Sequence, residues 1–155
     1  MPILNGDFET KDFTHWTVQA FNTPANVVHY GGSYKARLAG GRSTGQLLFT
    51  RANAKPGTFT LSFTAIAPQS IEHEGPPDPL IHAFVLFIIT GFDASGVPVQ
   101  HDFSMAGINP TSNTVSYRGE LLLGVKEAEI RFSVPSDPFA NKGPVYLDDV
   151  DFKQL

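Results

Sequence analysis

The sequence predicts an all-β protein, an antiparallel β-sandwich or jelly roll of about ten short strands. Its 155 residues include 14 glycines and 12 prolines at short intervals, which is typical of a fold with many turns. Residues 58–65 alternate hydroxylic and apolar side chains without a break, which indicates a strand with one buried face. No segment sustains apolar residues at helical spacing, and prolines recur too often for long helices.

Four short apolar or aromatic segments are the first predicted strands. They are residues 16–21, 27–30, 34–38 and 46–51. Gly40 and Gly41 indicate a turn between the third and the fourth. The alternating segment 58–65 is the fifth strand, and its period of two places Phe59 and Phe63 on the buried face.

The second half of the chain follows the same pattern. Residues 93–96 (Asp-Ala-Ser-Gly) predict a hairpin connection with Gly96 at a positive φ. The strands predicted on either side of it and beyond are residues 80–92, 97–105, 113–118, 129–134 and 145–152, with a further apolar run at 121–123. Three segments depart from strand character and predict loops: 67–79, 106–112 and 135–144.

Composition favours one domain that spans residues 1–155 and excludes several classes of protein. The chain has no cysteine, so it has neither disulfides nor thiolate metal sites. A net charge of −4 argues against nucleic acid as a partner. The longest apolar run, residues 83–89, is too short to insert across a membrane. Residues 1–6 show no signal peptide, so we expect a cytoplasmic protein, export by a non-classical route, or a leader already removed.

Both ends of the chain carry a resemblance to a known family. Residues 5–9 read Asn-Gly-Asp-Phe-Glu, with Trp16 shortly after them, and residues 143–152 read Gly-Pro-Val-Tyr-Leu-Asp-Asp-Val-Asp-Phe. These motifs resemble the opening and the closing strand of the jelly-roll carbohydrate-binding modules attached to xylanases and other glycanases, in the galactose-binding-domain-like superfamily. Residues 34–38 and 59–65 are similar to interior strands of those modules.

The resemblance implies a structural calcium ion near the paired ends of the chain. Its ligands would be Glu9 and either Asp148 or Asp149, with help from backbone carbonyls, since calcium prefers six to eight hard oxygen ligands. Strand alternation puts Asp148 on the same side as Val150 and Phe152, so we expect it to point inward and to need a cation there. The alternative is that Asp148 accepts backbone N–H groups and Glu9 is solvated.

Glycan binding by such modules uses aromatic rings, amides and charged side chains. The resemblance implies that Trp16 is a core residue. Tyrosine tolerates exposure better, because its ring is amphipathic. The residues that we predict to bind a glycan are Tyr30, Tyr34, Gln100, Tyr117 and Arg118. Tyr117 shares a strand face with Val115, so a core position is an equal alternative for it.

Neither a zinc site nor an active site is predicted. The polar residues around the proline-rich loop, and one pair in a strand, match no zinc-ligand spacing. These residues are His73, Glu74, Asp78, His82, His101 and Asp102. Asp148 and Asp149 are neighbours in a strand and face opposite sides, so they cannot flank one glycosidic bond. The chain also has no nucleophile elbow and no phosphate-binding loop, so we expect no catalysis.

Two functions remain. The first is a non-catalytic, lectin-like domain that binds a glycan or polysaccharide through one sheet or through the loops at 71–79 and 107–112. The second is a structural or protein-interaction jelly roll, such as a self-assembling, adhesive, tail or toxin component. The apolar run 83–89 favours the second, since a strand that is apolar on both faces needs a cover, from its own domain or from a second subunit of a homo-oligomer.

Overall fold

The computed structural model describes residues 3–19, 25–38, 47–68, 83–111, 113–134 and 144–154, and it confirms the all-β prediction. Two five-stranded antiparallel sheets contain ten strands. The strands are β1 Thr17–Gln19, β2 Asn26–Tyr30, β3 Ser33–Leu38, β4 Leu47–Asn53, β5 Gly57–Ile66, β6 Ala83–Phe92, β7 Pro98–Ile108, β8 Asn113–Leu121, β9 Glu127–Ser133 and β10 Val145–Gln154. Sheet A has the order β1-β4-β9-β6-β7, and sheet B has the order β2-β3-β10-β5-β8. No helix among these residues is long and apolar enough to span a membrane.

The core lies between the two sheets and is rich in phenylalanine. The alternation along β5 buries Phe59, Leu61 and Phe63 completely, as the sequence predicts. Phe63 makes edge-to-face contacts with Phe87 of β6 and Phe132 of β9, with ring centroids 5.5 and 5.1 Å apart. Such pairs stabilise a core beyond the apolar area that they bury. The two sheets are therefore joined by aromatic packing.

Two parts of the prediction change. Strand β7 continues to Ile108, where a loop was predicted, because Ile108 pairs with Ala83 at the start of β6. Leu122 and Leu123 are exposed in a turn after β8 instead of continuing a strand, and Gly124 in that turn has a φ of 92°. The predicted hairpin at 93–96 is confirmed. The predicted turn at Gly40 and Gly41, most of the loop at 67–79 and most of the loop at 135–144 lie outside the described residues.

The segment before β1 packs onto the end of the sandwich. Phe8 is fully buried and contacts Trp16, which is 8% exposed, so the prediction that Trp16 belongs to the core is confirmed. The backbone carbonyl of Gly6 accepts a hydrogen bond of 2.9 Å from the N–H of Val150 in β10. A Cβ atom at residue 6 would stand 2.0 Å from the Val150 carbonyl oxygen, so only glycine fits there. The opening and closing motifs therefore lie together, as the sequence predicts.

A β-bulge interrupts the pairing of β10 with β5 between Asp148 and Asp151. Asp149 in the bulge has a φ of 50°, a left-handed conformation that aspartate tolerates better than most residues. Because one extra residue is inserted, the side chains before and after the bulge do not keep a single alternation. Val150 and Phe152 enter the core, while Asp148 follows the core residue Leu147 and lies on the opposite face of the sheet.

Candidate functional site

Polar side chains gather on the outer face of sheet A, the side turned away from the core. Along β9, Ile130 and Phe132 enter the core, so Glu129 and Arg131 stand on the outer face. Arg51 of β4 lies directly opposite Glu129 in the register of the two strands. Three charged residues thus occupy the middle of this sheet.

Glu129 is held between two arginines. Its Oε2 accepts from Arg51 Nε at 3.1 Å, and its Oε1 accepts from Arg131 Nη2 at 2.8 Å. The Glu129 side chain is only 5% exposed, whereas those of Arg51 and Arg131 are 47% and 33% exposed. The negative charge of the Glu129 carboxylate is therefore compensated by the two guanidinium groups, and both arginine side chains remain partly accessible to solvent.

Each arginine also lies over an aromatic ring. The Arg51 guanidinium is 4.1 Å from the centre of the Phe92 ring, and that of Arg131 is 4.8 Å from the centre of the Phe49 ring. A planar guanidinium over an aromatic face is a favourable cation–π arrangement. These contacts hold both guanidinium groups at fixed positions on the sheet.

A groove of about 310 Å³ is centred on this charged group. On the β7 side, Thr90 Oγ1 and His101 Nδ1 share a hydrogen bond of 3.1 Å. The Arg131 Nε is buried and has no hydrogen-bond partner among the described residues. The residues that line the groove are Arg51, Ile88, Thr90, Phe92, Pro98, His101, Glu129 and Arg131. Several hydrogen-bonding groups therefore converge in one concave region, the usual form of a ligand site.

The second polar centre lies on the outer side of sheet B, where Asp148 forms a buried ion pair. Asp148 Oδ2 is 3.2 Å from Lys35 Nζ on β3 and accepts from Ser33 Oγ at 3.0 Å. Asp148 Oδ1 accepts from the backbone N–H of Asp149 at 2.9 Å. Asp148 is buried, as expected, but the prediction that it shares a side with Val150 and Phe152 is wrong because of the bulge. The positive group in contact with it is the Lys35 ammonium.

Excess negative charge remains around Asp149. Burial raises the pKa of the Asp149 carboxyl above its usual 3.8, the charge of Asp148 raises it further, Lys35 opposes this, and Asp7 and Glu9 add to the rise. No three His, Asp or Glu side chains among the described residues form a metal-binding group. Carboxylate oxygens in a negative region have the donor chemistry that calcium prefers.

Three of the predicted glycan-binding residues lie on sheet B. Tyr30 stacks on Tyr146, with ring centroids 4.1 Å apart. Tyr34 is half-buried beneath the opening segment, where its N–H donates to Glu9 Oε1 at 3.3 Å. Arg118 is exposed on the outer face of β8, because it pairs with Thr60. None of the three lies on the outer face of sheet A.

The other two predicted glycan-binding residues lie between the sheets. Gln100 Nε2 donates to the carbonyl of Glu120 at 2.7 Å, and Gln100 Oε1 accepts from the N–H of Leu122 at 2.8 Å. The Tyr117 ring is half-buried, 5.6 Å from that of Phe87. The structure therefore does not bring the five residues together on one surface, and their role in binding stays a prediction.

The remaining residues considered as metal ligands do not form a cluster among the described residues. His101 lies on the outer face of β7, and its neighbour Asp102 faces the opposite side, so the two do not converge on one metal. His73, Glu74, Asp78 and His82 lie outside the described residues, as does the loop at 71–79. The sequence does not indicate this groove through exposed Tyr or Trp, because its aromatic ring is Phe92, which the Arg51 guanidinium covers.

Comparison with known proteins gives the fold. No protein-family model and no curated protein match the sequence. Among solved structures, the galactotriose complex of TmCBM61 is 14% identical with a TM-score of 0.63, and covers 98% of this chain and 97% of that one. The CBM22-1 xylan-binding domain of Paenibacillus barcinonensis Xyn10C is 12% identical with a TM-score of 0.65, and covers 99% and 92%. The chain has the fold of carbohydrate-binding modules.

A viral protein shares this fold. The enzymatically active domain of tailspike protein 4 from bacteriophage CBA120 is 17% identical with a TM-score of 0.70. The match covers 96% of this chain, which spans only a fifth (20%) of that one. The resemblance predicted from the two end motifs is thus confirmed at the level of the fold.

Proposed function

We propose that this protein is a non-catalytic carbohydrate-binding domain and that the groove on sheet A is its glycan site. The observation that carries the proposal is Glu129, buried between two arginines that remain partly exposed. Glu129 is also the only carboxylate among the described residues that line the groove, whereas glycoside hydrolysis normally uses two. The fold shared with carbohydrate-binding modules supports the same conclusion.

The groove offers groups that suit a sugar. Sugar hydroxyls accept from guanidinium N–H groups, and the partly exposed guanidinium groups of Arg51 and Arg131 carry N–H donors beyond those that bind Glu129. Thr90 and His101 add hydroxyl and imidazole groups on the other side of the groove. Ile88 and Pro98 supply apolar surface for the C–H faces of a sugar ring. Since the ion pairs and cation–π contacts already fix the arginines, little side-chain entropy is lost on binding.

A substitution pair tests where a glycan binds. Arg51→Ala removes one accessible guanidinium from the groove, and Arg118→Ala removes the same group from the outer face of sheet B. We expect Arg51→Ala to weaken binding about ten- to hundredfold, because a hydrogen bond to a charged group is worth about 1.5–3 kcal/mol. Arg118→Ala should bind like the unsubstituted protein. The measurement is a glycan array followed by titration calorimetry with the best oligosaccharide.

Two results would count against the groove. Uniformly blank arrays from folded, calcium-loaded protein would reject glycan binding itself. Loss of binding in Arg118→Ala but not in Arg51→Ala would move the site to sheet B, where Tyr30 and Tyr34 also lie. Circular dichroism of both variants checks that neither has lost its fold.

We also propose that calcium binds beside the bulge, held by Glu9 and Asp149 with backbone carbonyls, while Asp148 stays paired with Lys35. Calcium there would offset the burial and the repulsion that together raise the pKa of Asp149. Thermal unfolding in calcium and in EDTA tests this. We expect calcium to stabilise the unsubstituted protein and Asp151→Asn, the control on the same strand, but not Asp149→Asn, in which asparagine keeps the left-handed backbone. If the unsubstituted protein has the same Tm in calcium and in EDTA, the calcium proposal is rejected, and the Lys35 ammonium is the positive group that compensates this region.

A structural or attachment role is the second candidate function. It is favoured by the similarity to part of a much longer phage tailspike chain, of which this chain spans a fifth (20%). This role requires a surface that contacts another protein chain. The oligomeric state in solution is the measurement that tests it.

A further inference from the structure

Exposed apolar side chains gather at one edge of the sandwich. Seven large hydrophobic side chains are exposed among the described residues, and only Leu4 lies elsewhere. The other six belong to the start of β7, to β7 itself or to the turn that Gln100 of β7 holds through its side chain. They are Val97, Val99, Phe103, Met105, Leu122 and Leu123. Phe103 is 75% and Leu123 is 91% exposed, which is unusual for a surface without a partner.

Strand β7 is an edge strand with unusual length. It has 11 residues and pairs with β6 on one side, and no other described strand pairs with its far side. Such a side presents unpaired N–H and C=O groups that can bind another strand. The other edge of sheet A, β1, has only three residues. Sheet B ends in β2, with five residues, and in β8, where Arg118 and Glu120 are exposed.

The features that usually protect an edge strand are few in β7. It contains no Lys, Arg or Glu, and its one proline, Pro98, is its first residue. Its pairing with β6 is regular from Gln100 to Ile108, and the one register shift lies before Gln100, at the start of the strand. The one inward-facing charge, Asp102, accepts a hydrogen bond of 3.2 Å from Gln100. The edge is therefore long, regular from Gln100 onward and nearly uncharged.

We propose that β7 pairs antiparallel with β7 of a second copy of this chain, which gives a two-fold dimer whose A sheets form one continuous ten-stranded sheet. Two identical strands that pair antiparallel are related by a two-fold axis, so the same residues form both sides of the contact. A strand of a different protein would need a separate sequence that matches this edge. With the axis at Phe103, His101 lies opposite Met105 of the second copy, so neither His101 nor Asp102 meets its own charge.

The outer face of the pair strengthens the contact. Phe103 and Met105 are consecutive residues on the outer face of β7. With the axis at Phe103, the two Phe103 side chains lie opposite each other, and each Met105 lies opposite His101 of the second copy. Leu122 and Leu123 lie next to this edge and add apolar surface. The glycan groove faces outward from the sheet, so edge pairing leaves it open, and the dimer does not depend on glycan binding.

The oligomeric state of the intact chain tests this proposal. Light scattering after gel filtration, repeated at rising concentration, should approach twice the 16.8 kDa of one chain. The double variant Phe103→Lys/Met105→Lys should stay at the single-chain mass, since it places four positive charges at the two-fold contact. Leu4→Lys is the matched control, because Leu4 is 57% exposed, like Met105 at 56%, but lies away from the edge, and it should dimerise.

Hydrogen exchange provides an independent readout. Amides of β7 should become more protected as concentration rises, while those of β8 should not change. The proposal is overturned if the unsubstituted protein keeps the single-chain mass at every concentration, or if the lysine double variant, folded by circular dichroism, dimerises as well as the control. Glycan binding by a monomer would leave the proposed function intact and reject only the dimer.

Discussion

Replacement of Lys35 by methionine tests how the protein tolerates a buried carboxylate. Methionine keeps most of the length of the lysine stem and removes its charge. Asp148 would then retain the Ser33 hydroxyl and the Asp149 N–H but no cation, at an exposure of only 5%. Breaking a buried ion pair on one side typically costs about 3–5 kcal/mol, because the remaining charge is desolvated and unpaired.

This cost is large enough to measure directly. For a domain of this size it corresponds to a fall in Tm of roughly 6–20 °C. Thermal and urea unfolding, followed by circular dichroism at neutral pH in EDTA, exclude any contribution from a bound metal. The double variant Lys35→Met/Asp148→Asn should recover part of the loss, since it no longer contains an uncompensated charge.

The outcome that would refute this reasoning is specific. If Lys35→Met unfolds within about 1 kcal/mol of the unsubstituted protein in EDTA, a cost that surface positions rarely exceed, then Lys35 is not the group that compensates Asp148. A double variant less stable than Lys35→Met alone would also contradict the ion pair, because it would show that Asp148 stabilises the fold without its partner.

Three further predictions concern other parts of the molecule. Gly6→Ala should destabilise the protein by about 1–3 kcal/mol in urea unfolding, since its Cβ would overlap the Val150 carbonyl oxygen. Phe63→Ala should cost about 3–5 kcal/mol in the same assay, since it leaves a cavity between the sheets. Hydrogen bonds from the side chain and the N–H of Thr14 lower the pKa of the Asp12 carboxyl in the folded protein. Its contribution to stability is therefore complete above pH 3.8, the usual pKa, and is lost as the pH falls through the lowered pKa of the folded state. The difference in unfolding free energy between the unsubstituted protein and Asp12→Ala should therefore be present at neutral pH and absent well below pH 3.8; a difference independent of pH would contradict it.

Local patterns in the sequence were sufficient to predict the sandwich. Alternation along 58–65 and 129–134 fixes which side chains enter the core, and turn residues mark most connections. The same alternation already places Glu129 and Arg131 on one face of β9. Their partner Arg51 could not be found in this way, because the pairing of β4 with β9 joins residues 78 positions apart.

The wrong predictions concern features that depend on contacts between residues far apart in the sequence. No signal in residues 145–154 marks the bulge at Asp149, so simple alternation placed Asp148 on the wrong face. Loop-like residues at 106–108 form strand because β6 offers them partners. The sequence allowed Tyr117 either a glycan-binding or a core position. Its half-buried position against Phe87 depends on how the two sheets stack.

The extra residue in β10 has a use beyond shifting side chains. The register with β5 passes from Asp148 opposite Thr64 to Asp151 opposite Ser62, so Val150 has no paired residue on β5. The amide of this unpaired position is the donor that binds the Gly6 carbonyl. Deletion of Asp149 should therefore restore a regular register with β5 and remove the hydrogen bond between Val150 and Gly6, so the bulge links the opening segment to the last strand of the chain.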